Sequence, residues 1–378
     1  MTGLASTGDL PTPAALIDVG RLERNCARMA ARIRGAGVRL RPHVKTHKCP
    51  PIGRIQLQGR DDGITVSTLA EARAFARAGF SDITWAVPIA PARLDEAAEL
   101  AGELDALHLL LDHGDTLDAA EACARRRGQR LSFWLKVDCG YHRAGVEPDS
   151  AAALELARRL DASTGLTFAG LLTHAGQAYG CRNAAEARGV AATERDAVVR
   201  LADRLDDDGI SVQALSVGST PTMCATADLD RISEARPGNY ALFDAFQATI
   251  GSCDLDDVAF SVLATVTGRY PGRGALVIDA GALALSVDPG AIHVDPDGGF
   301  GRLAAIDGSL EGRLRLVGLS QEHGKVQVDG GLGPGDWPIG TRLRVLPNHS
   351  CLAAALFPTY HAIDGDRVVD TWHPVRGW

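Results

Sequence analysis

Between residues 38 and 243 the chain alternates short apolar runs with amphipathic stretches, and this rhythm restricts the fold more than any other feature. Strand-like runs fall at residues 38–46, 64–68, 83–87, 107–111, 131–138, 166–173, 212–217 and 240–243. Helical periodicity follows most of them, at 69–78, 91–100, 119–126, 150–160 and 184–205. Alternation at this spacing implies parallel strands joined by helices, and eight repeats fit a closed (β/α)8 TIM-type barrel better than an open sheet. Ahead of the first run, Leu22, Cys26, Met29 and Ile33 share one face of a helix that Asp18 can cap.

After about residue 245 the texture changes. Short strand-like runs at 262–267, 275–278, 313–317, 325–328 and 342–346 are separated by Gly and Pro turns, with no convincing helix. We expect a barrel domain over residues 21–245 and an all-β domain over 246–378, with residues 1–20 packing on the latter through the extended run 14–19. The net charge of −8, with arginines interspersed among acids, argues against a nucleic-acid surface. The start has no signal-peptide pattern, and no apolar stretch reaches membrane-spanning length. Eight widely spaced cysteines with no CxxC pair suit a reducing cytoplasm rather than a disulfide framework.

Barrel enzymes carry their chemistry at the C-terminal ends of strands. Lysine is scarce here, only Lys45, Lys48, Lys136 and Lys325, yet two of the four lie in Arg41-Pro42-His43-Val44-Lys45-Thr46-His47-Lys48. Lysine, unlike arginine, can lose its proton and condense with a carbonyl, and nearby positive charge favours that neutral form. If the run is extended, Arg41, His43 and Lys45 share one face, opposite Leu40, Pro42 and Val44. The same run also reads as an edge strand or loop with a solvated basic face. Further along, Asp138, Tyr141, His142 and Arg143 follow the fifth strand and His174 ends the sixth. Gly218-Ser219-Thr220 ends the seventh, and Arg236-Pro237-Gly238-Asn239-Tyr240 precedes or forms the eighth. Agreement among five strand ends is hard to assign to chance. Gly218, Ser219, Thr220 and Gly238 offer backbone N–H groups and hydroxyls for a phosphate. A phosphate-bearing aldehyde satisfies both that site and the Lys45 amine; pyridoxal 5'-phosphate is such a molecule, with Arg143 available to its phenolate oxygen.

A second cluster lies far off, in Pro347-Asn348-His349-Ser350-Cys351. In an extended segment His349 and Cys351 point the same way and can bind one Zn²⁺. Two ligands suit a catalytic metal with open positions, or else no metal at all. His323 and His361 are candidates without a role.

Taken together, the Arg41–Lys48 and Lys136–Gly145 runs, Arg236–Tyr240, Glu322-His323-Gly324 and Pro347–Cys351 resemble the D-serine dehydratase and D-threonine aldolase group, which shares the fold of the alanine racemases. The resemblance spans nearly the whole chain. It implies that Lys45 is the Schiff-base lysine, that Arg143 meets the cofactor oxygen, and that Gly218, Ser219, Thr220, Gly238 and Tyr240 surround the phosphate. His43, His174 and Asn239 are also expected among the cofactor-binding residues; the resemblance further gives His349 and Cys351 a divalent metal and implies a head-to-tail homodimer with the active site at the interface. His-x-Cys is the dehydratase pattern and His-x-Asp that of bacterial D-threonine aldolases; a thiolate favours Zn²⁺, a carboxylate Mn²⁺ or Mg²⁺. One departure is that Asp279-Ala280-Gly281 is followed by Ala282 and Leu283 instead of the family's Ser-Lys pair.

The expected activity is therefore that of a lyase on a D-3-hydroxy amino acid, β-elimination giving a 2-oxo acid and ammonia. The alternatives are retro-aldol cleavage of D-threonine or a 3-hydroxyaspartate, a non-catalytic pyridoxal phosphate carrier and, outside the cofactor class, a metal-dependent barrel hydrolase. The partners expected are a small D-amino acid and a second copy of the chain, with neither nucleic acid nor membrane.

Overall fold

The computed structural model describes residues 6–333 and 335–378. It divides into two compact units, one of residues 28–238 with 375–378, the other of residues up to 27 with 239–374. Strand β1, Ala14–Asp18, belongs to the second unit and runs into the helix Val19–Gly35, where Leu22, Cys26, Met29 and Ile33 are all buried.

The first unit holds β2 (Arg39–Leu40), β3 (Ile64–Val66), β4 (Asp82–Pro88), β5 (Ala106–Leu111), β6 (Leu131–Lys136), β7 (Leu166–Leu172), β8 (Leu215–Val217) and β9 (Glu234–Ala235). They form one sheet in the order β2-β9-β8-β7-β6-β5-β4-β3, with every neighbouring pair parallel. A parallel bridge between His43 and Thr65, with Thr65 N–H donating to the Pro42 carbonyl at 2.9 Å, brings the two ends of that sheet together. A parallel barrel followed by an all-β unit is the architecture the alternating pattern predicts.

Two local expectations fail. The eighth strand is Glu234–Ala235, not residues 240–243, which begin in the short turn Asn239–Ala241. Its side chains hid it: Glu234 is buried and paired with Arg41 at 2.6 Å, so the strand shows no apolar run. The first strand ends at Leu40, and Val44–Thr46 is a single helical turn. Arg41 therefore does not share a face with Lys45. It is fully buried, held by Glu234 and by two bonds of 2.7 Å to the Asp82 carboxylate. An interior guanidinium persists only when such partners meet its donors.

In the second unit, β1 joins β10 (Phe260–Tyr270), β11 (Ala275–Ile278), β12 (Gly301–Ala305), β13 (Leu310–Leu319), β14 (Gly324–Val328), β15 (Arg342–Pro347), β16 (Tyr360–Asp364) and β17 (Arg367–Trp372). The sheet order is β11-β14-β13-β12-β15-β10-β1-β16-β17, and an added β11–β10 pairing curls it back on itself. Only β1–β16 is parallel. Leu16, Leu263, Ile363 and Val368 lie in its core. Among the described residues no helix is long and apolar enough to cross a membrane.

Candidate active site

Lys45 sits in the turn just beyond β2, and its side chain is exposed. His43 caps that turn: its Nδ1 accepts the Lys45 N–H at 3.5 Å, and its Nε2 lies 3.5 Å from the Ser67 hydroxyl. An Nδ1 that accepts carries no proton, so the neutral ring holds its hydrogen on Nε2. His174, just past β7, takes the opposite tautomer, since its Nδ1 faces the Gly218 carbonyl at 3.1 Å and only a donor fits there. Both rings are kept neutral. Burial, then the positive charge of Lys45, holds each well below the usual histidine range, with Arg236 adding to the effect at His43 and Lys136 at His174.

Three other residues of the lysine-rich run are structural. His47 is buried, accepts the Cys49 N–H at 3.0 Å and donates to Gln56 at 2.9 Å; burial lowers it to about 4. Lys48 pairs with the buried Glu71 at 2.9 Å. Arg41 belongs to the Glu234–Asp82 network described above.

Residues after β6 and β7 touch one another. Arg143 lies over the Tyr141 ring at 5.2 Å, and that ring meets His174 edge-on at 6.4 Å. Ser219 caps the short helix Thr220–Ala225, and both Ser219 and Thr220 are buried. Gly218 has φ +127, and a Cβ there would lie 2.8 Å from the Arg236 nitrogen; one on Gly238 would lie 2.6 Å from the His43 carbonyl oxygen. The chain thus packs backbone on backbone around the Lys45 turn, where only glycine fits.

Three residues gain roles that the sequence did not assign. Glu194, fully buried within the helix Ala184–Asp207, accepts the Ala175 and Gly218 N–H groups on Oε1 at 2.8 and 3.0 Å, and the Thr222 hydroxyl on Oε2 at 2.9 Å. Lys136, at the end of β6, is buried and donates to the Val137 carbonyl at 3.0 Å; burial, then Arg236, lowers it to about 8. Arg236 is buried as well, donating to the Ser216 hydroxyl and the Thr173 carbonyl, and burial brings it down to about 10. The end of the barrel therefore gathers Lys45, Lys136, Arg143 and Arg236 around two neutral histidines, an environment made for an anion.

The second cluster lies in the β unit. His349 is extended, but Cys351 is inside the short helix Ser350–Ala355, so the extended-segment argument for their pairing does not apply. They meet all the same, through a side-chain hydrogen bond. Burial works against a charge on His349, but its bonds to Asp288 and Cys351 push it up to about 11. Asn239 belongs to this cluster, its amide donating to Asp244 at 2.8 Å and Ser350 at 2.9 Å and lying 3.7 Å from the Cys351 sulfur. Tyr240, the next residue, is buried. Among the described residues no group of three or more His, Cys, Asp or Glu side chains is arranged to hold a metal, so His323 and His361 do not complete a ligand set. Asp279 is structural, accepting from Thr12 at 2.5 Å and from the Thr265 N–H at 2.7 Å.

The family model for "Alanine racemase, N-terminal domain" matches residues 17–245, and that for "Putative serine dehydratase domain" matches residues 259–363. The chain is 40% identical to a D-threo-3-hydroxyaspartate dehydratase of Delftia sp. (strain HT23) over 98% of each chain. It is 34% identical to a D-serine dehydratase of Dictyostelium discoideum, again over 98% of each. A solved structure of a D-threo-3-hydroxyaspartate dehydratase, a cysteine-to-alanine variant in the metal-free form, superposes with a TM-score of 0.95 at 40% identity, covering 99% of this chain and 100% of that one.

Proposed function

The chain belongs to the D-serine dehydratase family of the alanine racemase fold and is a pyridoxal phosphate-dependent lyase of D-hydroxy amino acids; from that premise we propose that its reaction is dehydration, with Lys45 as the Schiff-base lysine and His349 and Cys351 as ligands of a zinc ion. What carries this reading is the Lys45 turn, an exposed amine among neutral histidines and buried cations at the mouth of a parallel barrel.

The residues fit both groups. An anionic cofactor suits the cations Lys136, Arg143 and Arg236 gathered at this end of the barrel, where Gly218 and Gly238 let the chain fold tightly on itself. We assign Gly218, Ser219, Thr220 and Gly238 to its phosphate and Arg143 to its phenolate oxygen, with His43 and His174 orienting the ring. Tyr240 is assigned to the phosphate on the family resemblance. Asn239 is assigned to the surroundings of the metal pair, because its amide faces Cys351. An imidazole beside a thiol suits zinc better than manganese or magnesium, and the metal-free state named for the cysteine variant of the relative supports a metal at the matching position.

When bound, pyridoxal phosphate supplies an electron sink at the substrate α-carbon, and zinc supplies Lewis acidity toward the 3-hydroxyl. The Lys45 Nζ is the base that takes the α-proton. The positive charges of Lys136, Arg143 and Arg236 at this end of the barrel disfavour a further proton on that nitrogen, which favours its unprotonated form. Loss of the α-proton and the 3-hydroxyl as water, followed by hydrolysis, yields a 2-oxo acid and ammonia. Retro-aldol cleavage breaks the Cα–Cβ bond instead and yields glycine and an aldehyde. Cys351, in the position where the family resemblance gives bacterial D-threonine aldolases an aspartate, favours dehydration.

The deciding experiment incubates the loaded enzyme with D-serine, D-threonine and D-threo-3-hydroxyaspartate and measures ammonia and glycine. Ammonia is expected; glycine without ammonia would reject the dehydratase reading. We further propose a homodimer with the active site at its interface, to be checked by sedimentation. We also propose a cytoplasmic location, because eight widely spaced cysteines with no CxxC pair suit a reducing compartment.

A further inference from the structure

Asp288 lies in the loop before β12, outside every motif the sequence singled out. Its Oδ2 is 2.9 Å from His349 Nδ1, while its Oδ1 accepts the Gly290 N–H at 2.8 Å. The loop is pinned by the neighbour of His349, because the Asn348 amide donates to the Asp288 carbonyl at 3.1 Å and the Gly299 carbonyl at 2.8 Å. Gly290, with φ +75, allows this, since a Cβ there would come within 2.8 Å of the Asn348 side chain. The carboxylate is therefore fixed before any ligand arrives, with one oxygen aimed at one ring nitrogen.

We propose that Asp288 is a positioning residue for the metal: by accepting from Nδ1–H it fixes the ring orientation and tautomer of His349, leaving Nε2 as the coordinating atom. The inference rests on the reading of His349 and Cys351 as metal ligands, and deepens it. A carboxylate is suited to the task because it only accepts, so the nitrogen facing it must carry the hydrogen. Partners of this kind typically contribute roughly 10- to 100-fold to metal affinity.

Asp288→Asn is the informative change. The amide keeps one oxygen for two donors, Gly290 N–H and His349 Nδ1–H, and whichever it serves, its NH₂ confronts the other. If the oxygen stays on Gly290, the ring must turn its lone pair to the amide and put its hydrogen on Nε2, the wrong tautomer for binding. Zinc affinity of the full-length, cofactor-loaded protein is measured by competition with a chromophoric chelator. We expect D288N to bind zinc roughly 10- to 100-fold more weakly, with cofactor absorbance and thermal midpoint near the parent's. D288N binding zinc as tightly as the parent would overturn the assignment. A parent that binds no zinc would overturn the metal reading itself, a distinct result. Should D288N fail to fold, ¹⁵N-histidine spectra of the zinc-loaded parent decide, with the His349 signals identified by their loss in His349→Ala. Nδ1 protonated and Nε2 on the metal is the expected pattern; the reverse would refute it.

Discussion

Replacing Glu194 with alanine tests how the cofactor end of the barrel is held. Its Oε1 alone accepts two backbone N–H groups, from Ala175 after β7 and Gly218 after β8. Alanine leaves both without that acceptor in the interior, and each costs about 1–3 kcal/mol. The Thr222 hydroxyl loses less, because the Ser219 carbonyl lies 3.2 Å away as a second acceptor. The sum, reduced where water enters the vacated space, is about 3–5 kcal/mol, a large part of the roughly 5–15 kcal/mol that holds a protein folded. Glutamine behaves differently. It retains one oxygen for both N–H groups, and its amide can face a Thr222 hydroxyl rotated toward Ser219, so the loss is about 1 kcal/mol. Urea unfolding of cofactor-free protein should therefore rank the parent just above E194Q and far above E194A. Cofactor affinity should fall in the same order, because the Gly218 turn and His174 are displaced together. E194A unfolding within about 0.5 kcal/mol of the parent would show that the carboxylate does not anchor these strand ends.

Other outcomes follow from the same geometry. Gly238→Ala sets a Cβ 2.6 Å from the His43 carbonyl oxygen, so a cost of about 1–3 kcal/mol and weaker cofactor binding are expected; cofactor titration and melting unchanged from the parent would refute the close packing. Acid should destabilise the protein through His43, His47 and His174, which are depressed in the fold, so the unfolded chain binds more protons below pH 6.5 and stability falls with pH. For His47, depressed to about 4, the loss approaches roughly 3 kcal/mol at pH 4, and urea midpoints that stay flat from pH 7 to 4.5 would contradict it. Cys351→Ala should lose zinc and ammonia production while keeping the cofactor, as metal analysis and absorbance would show; full zinc content would remove Cys351 from the ligand set.

The barrel was legible because six of its strands, β3 to β8, are largely apolar runs, with buried residues such as Leu109, Phe133 and Leu171 at their centres. The eighth was not, because Glu234 and Ser216 bond to each other inside the barrel and polarity masks burial. In the β unit, β12, β16 and β17 escaped notice for lack of an uninterrupted apolar run. Lys45 stood out by scarcity, a signal independent of secondary structure, which is why it could be singled out although its segment is a turn rather than a strand. Glu194 carried a readable sign: it falls on the buried face of its helix with Ala187, Ala191 and Val198, and an acid on such a stripe needs partners. Asp288 carried none, since its partner lies 61 residues away in sequence and only the folded β unit brings them together.

Two lysines stand at the end of the barrel, the exposed Lys45 and the buried Lys136, and the cofactor is assigned to the first. Borohydride reduction of the cofactor-loaded protein followed by peptide mass mapping tells them apart. The pyridoxyl group is expected on Lys45, with Lys45→Ala neither labelled nor active. A label on Lys136, or a Lys45→Ala variant that turns over substrate at the parent's rate, would contradict it.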